Sequence, residues 1–502
     1  MAERAVKTMQ IGVSRPPLEI DDLPTPEEVF KVNTIGWKEL VRLVIGPSII
    51  ALGVSIGSGE WLLGPLTVAT YGFTGIGIVI TISALLQTFY NVELARFTVA
   101  TGEVPAVAFG RAPGGFRFWT PFAVLCLYVA LVWGGWAAGC GQALFTIFMG
   151  RVNTADELVT VKSLGVALLF GVFVLVMFGK KISKTMEMIS RTIVAFNLLS
   201  LLILVLIVVP PSHWLVGFSS LVTPALPPHG SDPTLLGALA GFTAMASGLN
   251  FIIINHYREK GYGMGHRVGF IASLVGGRQG ALLAAGKIFP EDEKNAALWK
   301  RWFRYLVIDQ WGVFFVGAIF GMMLPCLLVS YLAGLPGADA PTRANMPVYA
   351  ATQLGHQLGP IGFYWVLLVG FLILFATQLT VFESLVRNFT DAAYGTSARF
   401  RKLIKDDPRR FYYPFMIVLA AVIGFLIFQA LPTELILISA NMANFGALIF
   451  PFVIMYLNSK LPKPARITWW SYLALILNVL FFGFFFLNFV WMQAFAVPLV
   501  RF

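Results

Sequence analysis

The chain has 502 residues, 57% of them apolar and 12% charged, whereas water-soluble domains carry roughly 25% charged residues; a soluble multi-domain enzyme and a disordered chain are both excluded. Thirty-six Lys and Arg against 25 Asp and Glu leave a net charge of +11. That surplus collects in short connections between apolar runs, so it points to membrane topology and not to nucleic acid.

In chain order, residues 1–36 are polar, with Pro16, Pro17, Pro24 and Pro26 and the acidic pairs Asp21-Asp22 and Glu27-Glu28. They lack the apolar core of a cleavable signal, so the first span is expected to act as its own signal. Apolar runs long enough to cross a ~30 Å hydrocarbon core at ~1.5 Å per residue follow near 40–68, 71–95, 117–148, 160–179, 190–210, 234–256, 303–332, 361–386, 412–430, 434–457 and 468–498. They are continuous, which predicts eleven helices and excludes the alternating strands of a barrel. With the amino terminus in the cytoplasm, 32 basic residues fall on that side and 4 on the other. This split predicts an N-in, C-out protein of the cell (inner) membrane, with the bilayer as its first partner.

Cys126, Cys140 and Cys326 lie in apolar segments without metal or disulfide spacing and read as packing residues. The connection from Arg258 to Arg304 carries nine basic residues, the glycines 261, 263 and 265 and the acidic turn Pro290 to Glu293. It reads as a cytoplasmic amphipathic linker. Within it, Gly280 to Ile288 misses the phosphate-cradling loop by one residue and puts Ile where Ser or Thr is needed. ATP-driven transport by this chain alone is therefore dismissed.

Two spans carry glycine interruptions, the first at Gly57-Ser58-Gly59 and the sixth at Gly248. They lie five spans apart, and an odd number reverses orientation, so spans one to five and six to ten are expected to form an inverted repeat. Paired broken helices at matching places in two halves point to a midplane transport site. At the first, Ile56-Gly57-Ser58-Gly59-Glu60-Trp61 would bare carbonyls and N–H groups. A carboxylate at mid-depth costs on the order of 2.5–3.5 kcal/mol, more than helix packing by Gly53 and Gly57 would justify. At the second, Ala244 to Asn250 joins small side chains to an amide.

Span eight adds Gln378, Thr380 and Glu383, span seven Asp309-Gln310, and span ten Asn441 and Asn444 on one face. Glu93 with Arg96 and Glu383 with Arg387 are spaced for local charge pairs, and Trp133-Gly-Gly-Trp136 with Gly139 and Gly141 reads as a packing face. His256 falls at the cytoplasmic end of span six, where a solvated terminus is expected. No catalytic triad, zinc signature or dinucleotide loop is visible, so an enzyme is not expected.

The order of these segments resembles the natural-resistance-associated macrophage protein (Nramp) family of metal-ion transporters, a branch of the LeuT-type fold. The likeness runs over about residues 40–458. It rests on Gly46-Pro47 before the Gly57-Ser-Gly-Glu60 break, Leu86-Gln87, Ala95-Arg96-Phe97 before Thr101-Gly102, Ala244 with Asn250, Gln378 with Thr380, and Asn444 before Pro451. In that family the first break reads Asp-Pro-Gly-Asn, whose Asp and Asn bind metal. Here Gly57 stands at the Asp position and Glu60 at the Asn position. The sixth-span Met-Pro-His-Asn is Ser247-Gly248-Leu249-Asn250, the histidine four residues beyond is Ile254, and Gln142 is the polar residue nearest the missing acids of span three.

The resemblance implies an all-α integral membrane protein: a LeuT-type 5+5 inverted repeat with discontinuous helices 1 and 6 and one extra C-terminal span. The divisions are a tail at 1–36, a ten-helix core at 37–458 (repeats about 40–210 and 234–458, linker 258–302) and an eleventh span with the C-terminus at 459–502. With the thioether lost, the implied metal set is all oxygen: Glu60, Asn250, Gln378 and backbone carbonyls, suited to a hard divalent ion of the Mg or Mn type. Gly57, Ser58, Gly59, Ala244, Ser247 and Asn444 complete the substrate-facing set, and Glu60, Asp309 and Glu383 are the coupling candidates. No cofactor is implied beyond a transported divalent cation. The alternative is an amino-acid or other small organic solute, since Gly-Ser-Gly also resembles amino-acid carriers in which bare N–H groups hold a substrate carboxylate.

Overall fold

The computed structural model describes residues 19–30, 33, 34, 36–39, 47–49, 52, 56–178, 182–245, 250–271 and 282–500. Among the described residues, nine helical stretches are long and apolar enough to cross a membrane: Ile76–Thr101 (span 2), Gly115–Met149 (3), Leu158–Met177 (4), Lys184–Val208 (5), Glu293–Ala333 (7), Met346–Thr396 (8), Arg409–Ile427 (9), Pro432–Ser459 (10) and Trp469–Phe495 (11). Spans 1 and 6 are described only in shorter helical pieces. Span 6 consists of Pro233–Phe242 (6a) and Asn250–Lys260 (6b), and span 1 passes through a turn before Gly59–Leu63 and Gly64–Tyr71. This is a multi-pass membrane protein.

Inside the helices, hydroxyls bond back to the carbonyl one turn earlier, as Thr67 does to Leu63, Thr88 to Ala84 and Thr380 to Ala376. Polar side chains are thus satisfied without leaving their own helix. Between helices, small residues set the approach. A Cβ on Gly141 would overlap the Val161 carbonyl of span 4, and one on Gly165 would lie 2.6 Å from the Ala137 carbonyl of span 3. The two backbones therefore touch, and the packing role expected of Gly141 holds. Glu93 and Arg96 form their local pair at 2.8 Å, and Glu93 also accepts from Ser471 of span 11 at 2.6 Å.

The amino-terminal tail is strapped to the linker. Glu19 and Ile20 pair in parallel with Lys287 and Ile288, the Leu23 N–H donates to Asn295 Oδ1 at 2.9 Å, and Trp302 Nε1 donates to the Pro24 carbonyl at 2.9 Å. Phe30 packs 5.5 Å from the Trp302 ring and 6.2 Å from that of Tyr262. The end of the linker is itself an amphipathic helix, Glu293–Ile308, continuous with span 7. Asp292 caps it by accepting the Asn295 N–H at 2.7 Å, which holds its carboxyl below the usual carboxylate range. Asn295→Ala removes the side-chain acceptor for the tail at a cost of about 1 kcal/mol. Amide hydrogen exchange at Leu23 is expected to rise several-fold, with the span helices unchanged.

Candidate functional site

Span 6 is interrupted outright. Asp232 starts 6a by accepting the Thr234 N–H at 2.8 Å, and Pro233 stands where a missing N–H costs nothing. The helix ends where Thr243 turns extended and Ala244 and Met245 take φ values of +63° and +86°. Left-handed backbone costs a non-glycine residue about 1–2 kcal/mol and persists only where the surrounding structure imposes it. The Ser83 hydroxyl of span 2 meets the carbonyls this opens, at 2.5 Å from Ala240 O and 3.3 Å from Thr243 O. Ser247 and Gly248 lie outside the described residues, as do Gly46 and Gly53 of span 1.

The interruption in span 1 is smaller. A turn at Ile56 and Gly57 leads into a π-wound stretch, Gly59–Leu63. The Gly57 N–H donates to Glu60 Oε2 at 3.1 Å, so the carboxylate folds back onto the backbone at the break. Gly59 has no side chain because the end of 6a occupies that space: a Cβ there would overlap the Phe242 carbonyl. Gly59→Ala would push the two breaks apart, and overpacking of this kind costs about 1–3 kcal/mol. The expected result is a lower thermal unfolding midpoint in detergent.

Gly57, Ser58, Gly59, Glu60 and Ala244 are thus brought together. Trp136 joins them, its Nε1 donating to Ser58 Oγ at 2.7 Å and its ring 5.8 Å from that of Phe242. Glu60 is 1% exposed, and the backbone N–H groups of Glu60 itself and of Ala244 also point toward its carboxylate.

The other predicted ligands have separate partners. Asn250, at the head of 6b, donates to Gln87 Oε1 at 3.0 Å and Asn91 Oδ1 at 2.6 Å, both on span 2. Gln378 Oε1 accepts the Ala137 N–H at 3.1 Å. That contact exposes a break in span 3, between Gly115–Leu131 and Gly135–Met149, with Gly134 at φ +72°. Trp133-Gly-Gly-Trp136 is therefore a helix break capped from span 8, besides being a packing face. Asn444 and Asn441 of span 10 donate to the Gly237 and Thr234 carbonyls of 6a, each at 2.9 Å.

No hydrogen bond joins Glu60, Asn250 and Gln378 among the described residues, and no group of three His, Cys, Asp or Glu there could hold a metal. The shared feature is acceptor oxygen. Glu60 Oε1, Asn250 Oδ1 and Asn444 Oδ1 are buried without a hydrogen-bond partner among the described residues, a costly state for a polar atom.

The two remaining acids lie beside 6b. Asp309 Oδ2 accepts from the Tyr257 hydroxyl at 2.5 Å and the Ser48 N–H at 3.3 Å, tying spans 1, 6b and 7, and Gln310 donates to Tyr257 and Ser48. Glu383 pairs with Arg387, as its spacing predicts, and accepts from the Tyr412 hydroxyl at 2.7 Å. His256 is not at a solvated terminus: it is 3% exposed, because 6b continues to Lys260 against span 8.

Two inverted five-span repeats around two opened helices, with one span added, make the LeuT-type architecture. Solved structures match it over nearly the whole chain. A manganese transporter from Eremococcus coleocola, in complex with an aromatic bis-isothiourea compound, superposes with TM-score 0.57 at 14% identity, over 98% of this chain and 93% of that one. The nucleobase-cation-symport-1 family transporter Mhp1, closed around bromovinylhydantoin, gives TM-score 0.51 at 13% identity, over 90% and 93%. No family model matches the sequence, and no curated protein does. These identities show a common fold.

Proposed function

We propose that this protein is a secondary active transporter similar to Nramp proteins, carrying a hard divalent cation of the magnesium or manganese type. It works by alternating access around the breaks in spans 1 and 6, with the tail face in the cytoplasm and the C-terminus outside. The core is residues 37–458, between the tail and the eleventh span. Glu60 is the charged ligand, and Asn250, Gln378 and Asn444 supply amide oxygens as the helices move. Gly57, Ser58, Gly59, Ala244 and Ser247 shape the chamber.

The observation that carries this reading is the hydrogen bond from the Gly57 N–H to Glu60. The backbone donor that would hold the carboxylate of an amino acid already holds a carboxylate of the chain itself. Among the unpartnered groups around the breaks are the acceptor oxygens Glu60 Oε1, Asn250 Oδ1 and Asn444 Oδ1, which suit a positively charged partner. The manganese named for the Eremococcus transporter agrees with that chemistry.

The test is flux of Mg²⁺, Mn²⁺ and Ca²⁺ into liposomes holding the purified protein, with a panel of amino acids as competitors. Cation uptake that amino acids leave unchanged is expected. Competition by amino acids without cation uptake would establish the organic-solute alternative instead.

A further inference from the structure

Five buried charged side chains outside the midplane chamber form an ordered series across spans 8 and 6b. Glu383 accepts from Arg387 Nε at 2.6 Å. Arg387 also donates to Glu259, Glu259 lies 3.7 Å from Arg258, and Arg258 donates to Asp391 at 2.9 Å. The order is acid, base, acid, base, acid, and no member is more than 6% exposed.

Three carboxylates against two guanidinium groups leave one negative charge in excess, in a place where an uncompensated charge is expensive. The other ionisable groups facing the series do not cancel it. Lys260 of 6b is paired with Glu187 of span 5 at 3.3 Å. Tyr412 and Tyr413 of span 9 are neutral phenols beside Arg387. His256 has no hydrogen-bond partner on either ring nitrogen among the described residues. It faces Arg387, Lys260 and Arg258, so a proton there would add a fourth cation to three.

The proton that balances the series therefore belongs on a carboxylate, and position decides which. Glu259 sits between both guanidinium groups, where a neutral carboxyl would leave Arg258 and Arg387 with no charge between them. Asp391 ends the series beside the linker, in a small cleft it shares with Glu103, Gly286 and Tyr394. Glu383 ends it at the deep side with 0% exposure and meets one guanidinium where Glu259 meets two; its Oε2, like that of Glu259, has no hydrogen-bond partner among the described residues. We propose that Glu383 is a proton-binding site, charged with one proton while 6b is docked on span 8. When 6b swings away with Arg258 and Glu259, water reaches Glu383 and the proton leaves toward the tail face. This second step rests on the transport reading; the proton site does not.

The experiment is infrared difference spectroscopy of purified protein in lipid, titrated from acid to alkaline pH, following the carbonyl stretch of protonated carboxyl groups. All variants are built on Glu60→Gln, so that the midplane acid does not contribute. Glu383→Gln is expected to lose one carboxyl's worth of amplitude. Asp391→Asn, at the far end, is expected to lose the same component, because the four remaining groups balance and Glu383 ionises. Gel filtration and thermal melting establish that each variant is folded, and Asp391→Asn serves if Glu383→Gln is not. Unchanged amplitude in either folded variant overturns the proposal. Flux is scored separately, in the protein that retains Glu60: absent cargo uptake there sinks the transport reading, whereas an intact carboxyl band in Glu383→Gln sinks the proton site alone.

Discussion

Replacing Arg387 with glutamine is expected to destabilise the protein by about 3–5 kcal/mol, the cost of breaking a buried ion pair by removing one partner. Arg387 is 1% exposed and is bonded to both Glu383 and Glu259. Without it Glu383 and Glu259 lose their shared donor across spans 8 and 6b, and the Glu259 charge is left with Arg258 alone. The effect should exceed that of any single exposed pair, such as Arg151 with Glu157 at 52% and 28% side-chain exposure, which water and salt screen. Arg387→Lys should recover only part of the loss, since one ammonium cannot reproduce the two-sided geometry of a guanidinium. Thermal unfolding of the two variants in the same detergent is the measurement. A melting point within a degree or two of wild type for Arg387→Gln would mean that the series is not a structural tie.

Glu60→Gln should give the opposite pattern, a folded protein without transport. The amide oxygen of glutamine still accepts from the Gly57 N–H, so the turn at the first break keeps its hydrogen bond. What disappears is the negative charge offered to the cargo. Losing one partner of a buried charged contact costs roughly 2–5 kcal/mol, so cation flux should fall about thirtyfold or more while the melting point stays level or rises. Glu60→Ala removes the hydrogen bond as well and should lose both. Wild-type flux in the folded glutamine variant would remove Glu60 from the binding site.

The apolar runs reported nearly everything about the architecture, because a helix that must cross a bilayer writes its length into the sequence. The breaks were legible where a costly residue marked them. Glu60 could not stand at mid-depth for packing alone, and the structure finds it folded onto the turn. The break in span 3 was not legible, since Gly134 and Gly135 have the composition of a packing stripe. What makes it a break is an acceptor on Gln378, 241 residues further on. The pair Glu383 and Arg387 could be read from i,i+4 spacing, whereas Glu259, 128 residues from Arg387, could not. His256 was misplaced for a related reason: a hydropathy profile records where a span stops being apolar, and 6b remains buried beyond that point by packing on charged neighbours.

The backbone contact between spans 3 and 4 has a mechanical consequence. Where Gly141 meets Val161 and Gly165 meets Ala137, neither helix has side chains on which to slide, so shear between them would drive carbonyls into one another. These two helices are a single stiff plate. Any rocking of the molecule has its pivot elsewhere, along the hydrogen-bonded seams that spans 1 and 6 make with spans 2, 7 and 10.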